Sequence, residues 1–186
     1  MAYYHIGLDI STSITGISIF KNKEFLEMNH IDLAKEKSYF KKADKVRDYF
    51  ESIRFEDCDK LVIGVEENLQ AFRPGMSSAK TLMQLSRFNG VVSQIAYEIF
   101  SIEPIYINVN KARKALQIKI SKESGKNTKE QVLDWVSKDL NDTFVWPDKI
   151  LKSGPNKGRV KLKNCCYDMA DAYVICKALL DEEIYD

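Results

Sequence analysis

The run Leu61-Val62-Ile63-Gly64-Val65 constrains the fold of this chain more than any other stretch. It has the length of a strand and is apolar throughout, without the alternation of a strand wetted on one face. Such a run belongs to a central parallel strand covered on both sides. Parallel strands need crossover connections, so helices must lie on both faces of the sheet. The run ends on Glu66, which leaves a carboxylate where a buried strand emerges. A charge placed there is costly unless an opposite charge meets it.

The surrounding pattern extends this α/β reading. Residues 4–10 and 15–20 read as strands joined by a Ser/Thr turn, and Asn22-Lys23 is a hairpin turn into a third strand over 24–31. Residues 34–53 carry helical spacing, with Phe40, Ala43, Val46, Tyr49, Phe50 and Ile53 on one side. The apolar run makes a fourth strand over 60–66. After the break at Arg73-Pro74-Gly75, Ser77 or Ser78 caps a helix reaching Phe100. Leu82, Leu85, Val92, Ile95 and Ile99 can face the sheet. Met83, Ser86, Gly90, Ser93 and Tyr97 form a second stripe, to be covered by a loop of the same chain or by a second copy.

A fifth strand over 104–109 follows. Asn110 is placed to cap a short helix containing 111–116, and Asn127 with Glu130 has capping-box spacing. Residues 148–163, with Gly154-Pro155 and Gly158, read as a basic loop, and a last helix spans 167–180. The expectation is one domain over 1–186, with three antiparallel strands followed by parallel ones in a five-stranded mixed sheet flanked by helices. A chain of 186 residues can build such a core without disulfides.

Several chemistries are disfavoured. The four cysteines, Cys58, Cys165, Cys166 and Cys176, form no CxxC pair, and His5 and His30 are the only histidines, which argues against zinc. Neither histidine lies in a nucleophile motif. Reduced thiols, no secretory signal pattern and no run long enough to cross a membrane suggest a cytoplasmic protein without a membrane partner. The net charge is only +1, but from Lys111 to Lys163 bases outnumber acids roughly two to one. Such a concentration can hold phosphates, although any one cluster also fits a solvated face.

Three further acids share the oddity of Glu66. Asp9 ends the apolar stretch Ile6-Gly7-Leu8, and Asp168 and Asp171 lie one helical turn apart, on one face of an apolar helix. Singly, Asp9 also fits a turn cap, and Asp168 and Asp171 also fit the favourable end of a helix dipole. Glu66 has no such structural task. Strand alternation turns Glu67 away from it, making Glu67 the second choice.

The ordered set Gly7-Leu8-Asp9-Ile10-Ser11-Thr12-Ser13-Ile14-Thr15-Gly16, Val65-Glu66-Glu67 and Asp168-Met169-Ala170-Asp171-Ala172 resembles the RuvC-type Holliday junction resolvases, particularly the small phage-encoded members. Leu82, Gln84, Arg87 and Gly90 look like that family's interface helix. The resemblance implies a ribonuclease-H-like fold and a metal-dependent endonuclease for four-way or branched DNA. It implies a homodimer through the 78–100 helix, with Asp9, Glu66, Asp168 and Asp171 as catalytic ligands for two Mg²⁺ or Mn²⁺ ions. Arg113 and Lys129 match basic positions at the active centre; Ser11, Thr12, Lys111, Lys114, Lys119, Lys122 and Lys126 would contact DNA nearby. The family's aromatic wedge aligns with Leu69; Phe72 and then Arg73 follow. Two other readings stand beside this one. One is a junction-binding module without turnover. The other is an actin-like ATPase domain, suggested by the Gly-Leu-Asp-Ile-Ser-Thr-Ser loop, although such enzymes close two domains around a nucleotide.

Overall fold

The computed structural model describes residues 1–67 and 78–181. Three strands, β1 (Ala2–Ile10), β2 (Ile14–Lys21) and β3 (Glu24–Asp32), form an antiparallel meander. Helix α1 (Tyr39–Ser52) leads to β4 (Cys58–Glu66), which pairs parallel to β1. Helix α2 (Ala79–Phe100) then crosses to β5 (Ile105–Ile107), parallel to β4. The sheet order β3-β2-β1-β4-β5 puts β1 and β4 side by side at the centre. Helices α3 (Val109–Ala115), α4 (Thr128–Asp139) and α5 (Cys165–Ala178) complete the main body. This is the expected mixed sheet, and it is a ribonuclease-H-like fold. No described helix is long and apolar enough to cross a membrane.

Strand parity divides the interior into two cores. Ile6, Leu8 and Ile10 of β1, with Ile63 and Val65 of β4, pack under α1 and α2. The alternate positions, Gly7 and Asp9 on β1 and Val62, Gly64 and Glu66 on β4, therefore face the α3–α5 side. Helix α5 is buried nearly all round, with Met169, Ala170, Ala172, Val174 and Ile175 at 1% exposure or less. Each large apolar side chain so buried contributes on the order of 1.5–3 kcal/mol.

Two glycines let α5 lie directly on the sheet. A Cβ at Gly16 would sit 2.1 Å from the Asp168 carbonyl oxygen, and one at Gly7 would sit 2.3 Å from that of Ala172. No side chain fits in either gap.

The structure moves several boundaries. Helix α1 starts at Tyr39 because Leu33 is drawn wholly into the core, its N–H bonded to the Ser13 carbonyl, while the Asp32 carboxylate turns the chain by accepting from the Ala34 N–H. Asn108, rather than Asn110, caps α3, accepting from the N–H groups of Asn110 and Lys111. The Asn127/Glu130 capping box forms as expected. Helix α5 begins two residues before the expected 167 and ends at Ala178. On α2, Ser93 is buried and Phe88 faces the sheet, so the exposed stripe centres on Met83, Val91 and Tyr97.

The largest departure is at 148–163, expected as a loop. Short strands β6 (Asp148–Ile150) and β7 (Val160–Leu162) pair antiparallel into a ribbon. Its root is fixed by the Pro147 carbonyl, which accepts from the Lys163 N–H and the Cys166 thiol. Leu162 packs against the core beside Phe144 and Trp146, and the Trp146 indole donates to Ser137 Oγ.

Candidate active site

Asp9 pairs across the meander with Gly16, and the Asp168 backbone lies over that glycine. The gap that admits α5 thus also brings its first turn to Asp9. On the other side of β1, Leu8 is in register with Val65, so Asp9 and Glu66 end adjacent strands on the same face. Asn89 of α2 donates to the Glu66 backbone carbonyl at 3.2 Å, steadying the strand end. Asp171 follows Asp168 by one turn. All four carboxylates line one cavity of about 1060 Å³.

Two cations close on this cluster from the neighbouring helices. Arg113 of α3 donates through Nη2 to Asp171 at 3.1 Å, with both side chains largely buried. Its Nε is buried without a hydrogen-bond partner. From α4, Lys129 lies 3.5 Å from Asp168 and remains 55% exposed.

The acids are held well away from ordinary carboxylate behaviour. Burial raises the pKa of Asp9, and the charges of Glu66, Asp171 and Asp168 raise it further. Burial, then Asp171, pushes Glu66 up to about 7, against the pull of Arg113, a hydrogen bond from Asp9 and Lys129. Asp168 is raised by burial, which Lys129 opposes; Asp171 is raised by burial, which Arg113 opposes. For Lys129, burial works against the charge, but Asp168, Asp171 and Asp9 outweigh it and raise the pKa. Four desolvated carboxylates against two cations leave a site short of positive charge.

In kind, this donor set suits a hard divalent cation: carboxylate oxygens with no His or Cys among them. Among the described residues, however, no group of three or more His, Cys, Asp or Glu side chains is arranged to hold an ion as it stands. Arg113 and Lys129 each engage one oxygen, Oδ1 of Asp171 and Oδ1 of Asp168, and each carboxylate has a second oxygen to offer an ion.

Other expected residues sort by position. Ser11, Lys114 and Lys119 line the cavity with Arg113 and Lys129. Lys111, Lys122, Lys126 and Thr12 do not. Lys126 pairs with Asp134 at 2.5 Å, and the Thr12 carbonyl accepts from the buried Lys42 ammonium. Ser11 also shapes its own turn, its Oγ donating to the Ile14 carbonyl. Glu67 accepts from Asn108 at 3.4 Å and is not part of the lining. Leu69, Phe72 and Arg73 lie outside the described residues. Sequence reading missed Asn110, Gln117 and the apolar rim of Ile118 and Ile120. The signal for that rim was an apolar pair inside a basic stretch, between Leu116 and the Asn127 cap.

Fold and site together define a ribonuclease-H-like α/β domain with an acidic centre at the ends of its middle strands. In sequence, no family model and no curated protein matches the chain. In three dimensions it is similar to RuvC from Thermus thermophilus. The complex of that protein with a Holliday junction substrate matches with a TM-score of 0.59 at 15% identity, over 95% of this chain and 91% of that one. A second T. thermophilus RuvC structure matches with a TM-score of 0.56 at 13% identity, over 97% of each chain.

Proposed function

We propose that this protein is a metal-dependent endonuclease that cuts four-way or otherwise branched DNA. The observation that carries the reading is the convergence of Asp9, Glu66, Asp168 and Asp171, from two strands and a helix, in one cavity with too little positive charge. The end-to-end similarity to RuvC, solved with a Holliday junction substrate, supports DNA as the polymer. With no His or Cys in the cluster, phosphodiester hydrolysis is the chemistry such donors serve.

Asp9, Glu66, Asp168 and Asp171 would hold Mg²⁺ or Mn²⁺, with room in the donor set for two ions. Bound divalent ions supply an activated water and charge neutralisation at the leaving 3′ oxygen. The remaining work falls to the protein. Arg113 holds Asp171 in place and has an unused buried donor at Nε; with Lys129 it offers positive charge to the scissile phosphate. Lys114 and Lys119 on the cavity wall would position neighbouring phosphates. A homodimer through α2 would set two such sites on one junction and give paired nicks; the exposed Met83, Val91 and Tyr97 support that face.

The test is incubation with a four-way junction, a Y-fork and an RNA–DNA hybrid, each with Mg²⁺ or Mn²⁺, beside an Asp9→Asn control. Cleavage of branched DNA by wild type alone is expected. No cleavage by wild type, or equal cleavage by the variant, would sink the reading. A second reading, a junction-binding module without turnover, draws on the cation-paired state of Asp168 and Asp171. Junction binding without cleavage under every metal would favour it.

A further inference from the structure

The β6–β7 ribbon is the strongest feature that the acid cavity does not use. From Asp148 to Lys163 it carries six bases, Lys149, Lys152, Lys157, Arg159, Lys161 and Lys163, against the single acid Asp148. None of the six has an ion pair among the described residues, and all six are exposed. Cross-strand register places Lys149 directly opposite Lys161, and Ile150 directly opposite Val160.

Water leaves two features of this ribbon costly, the facing lysines and the exposure of Ile150 and Val160. Like charges facing each other across an antiparallel pair repel. Ile150 and Val160 are 64% and 65% exposed on the opposite face, beyond the point where Leu162 reaches the core. An anionic surface laid against the lysine face would remove the first penalty.

The root of the ribbon is joined to the helix that carries Asp168. Lys163 and Cys166 are tied to the same Pro147 carbonyl, and Cys166 opens the turn of α5 that carries Asp168. The charge of Lys163 is felt at His30 and Cys165, groups that also feel Asp168. Lys163, at the root, therefore shares an electrostatic neighbourhood with Asp168.

We infer that the β6–β7 ribbon is a DNA-binding arm. Its Lys149/Lys161 face grips the phosphate backbone of the duplex arm that leaves the cleavage point. This rests on the nuclease reading above, which it extends to a second binding surface.

The test is binding of a fluorescein-labelled four-way junction in EDTA, measured by anisotropy over a series of salt concentrations. Wild type is compared with Lys149→Ala/Lys161→Ala and with a control pair on the α1 side, Lys37→Ala/Lys41→Ala, both exposed. The ribbon variant should bind about tenfold more weakly, with a slope of log affinity against log salt shallower by about two, one for each lost phosphate contact. The control should keep the wild-type slope. Melting temperature separates misfolding from lost contact: it should match or exceed wild type, because a repulsive pair has been removed. If wild type binds the junction and the ribbon variant binds it equally, with the same slope, the arm is refuted and the nuclease reading stands. If wild type binds no branched DNA, both fall together.

Discussion

Glu66 titrates near neutrality because burial and the charge of Asp171 disfavour its ionised form. Its folded pKa of about 7 exceeds the ordinary 4.5, so between those values the folded protein binds more protons than the unfolded chain. The stability this contributes is complete below about pH 4.5 and lost as pH rises through about 7; the raised Asp9, Asp168 and Asp171 act in the same direction. Melting followed in EDTA from pH 5 to 8 should show wild type losing stability. Glu66→Gln should flatten the curve and raise the pH 8 melting temperature by roughly 5 °C. A flat wild-type curve would count against the clustered acids. At pH 8, added Mg²⁺ should stabilise wild type by binding the folded state, and stabilise Asp9→Asn far less. Cleavage by Asp9→Asn should fall about a hundredfold or more, read from junction nicking rates. The four acids were legible in the sequence because each is a charge set in or at the end of an apolar segment. Their cations were less so. Arg113 and Asp171 are 58 residues apart, and their contact depends on how α3 sits against α5, which no local pattern encodes.

Among the elements, α5 depends most on its neighbours. A methyl at Gly16 has nowhere to go, because the backbone of Asp168 is already there. Gly16→Ala should therefore cost about 2–3 kcal/mol of stability and lower the melting temperature by roughly 5–10 °C. It should also lift Asp168 away from Asp9, so Mg²⁺-dependent stabilisation should shrink as well. Unchanged melting would show that α5 can shift freely. Strand order, helix order and the α4 cap could all be read directly, since they rest on apolar period and on a side chain bonding to its own backbone. The β6–β7 ribbon could not. Its strands are three residues long, too short for alternation to register, and the Gly154-Pro155 and Gly158 between them signal only a turn. Residues 34–38 read as helix because composition says nothing of Leu33 being pulled into the core.

At the level of the whole molecule, α2 leaves Met83 59%, Val91 42% and Tyr97 51% exposed, with Phe40 of α1 at 84%. These exposed apolar side chains are the ground for the dimer face proposed above. On that proposal, Val91→Glu/Tyr97→Glu should turn the dimer into a monomer by sedimentation velocity and turn paired nicks into single ones, with melting temperature little changed. A wild type that sediments as a monomer, alone and on a junction, would remove the basis for paired cutting. The burial of α5 also affects how such a protein tolerates change. Half of its acid centre stands on the helix around which one core is built, and the other half on strand ends where Asp9 and Glu66 line the cavity while their neighbours Ile10 and Val65 fill the core. Random substitutions along α5 will mostly be lost as insoluble chains, whereas changes at Asp9 or Glu66 should give well-folded protein that lacks the proposed cleavage. In a population of variants, durable copies with an altered acid site should therefore carry their lesions on the strands, and on the nuclease reading proposed above a lineage that abandons cleavage while keeping its grip on DNA should lose Asp9 or Glu66 first.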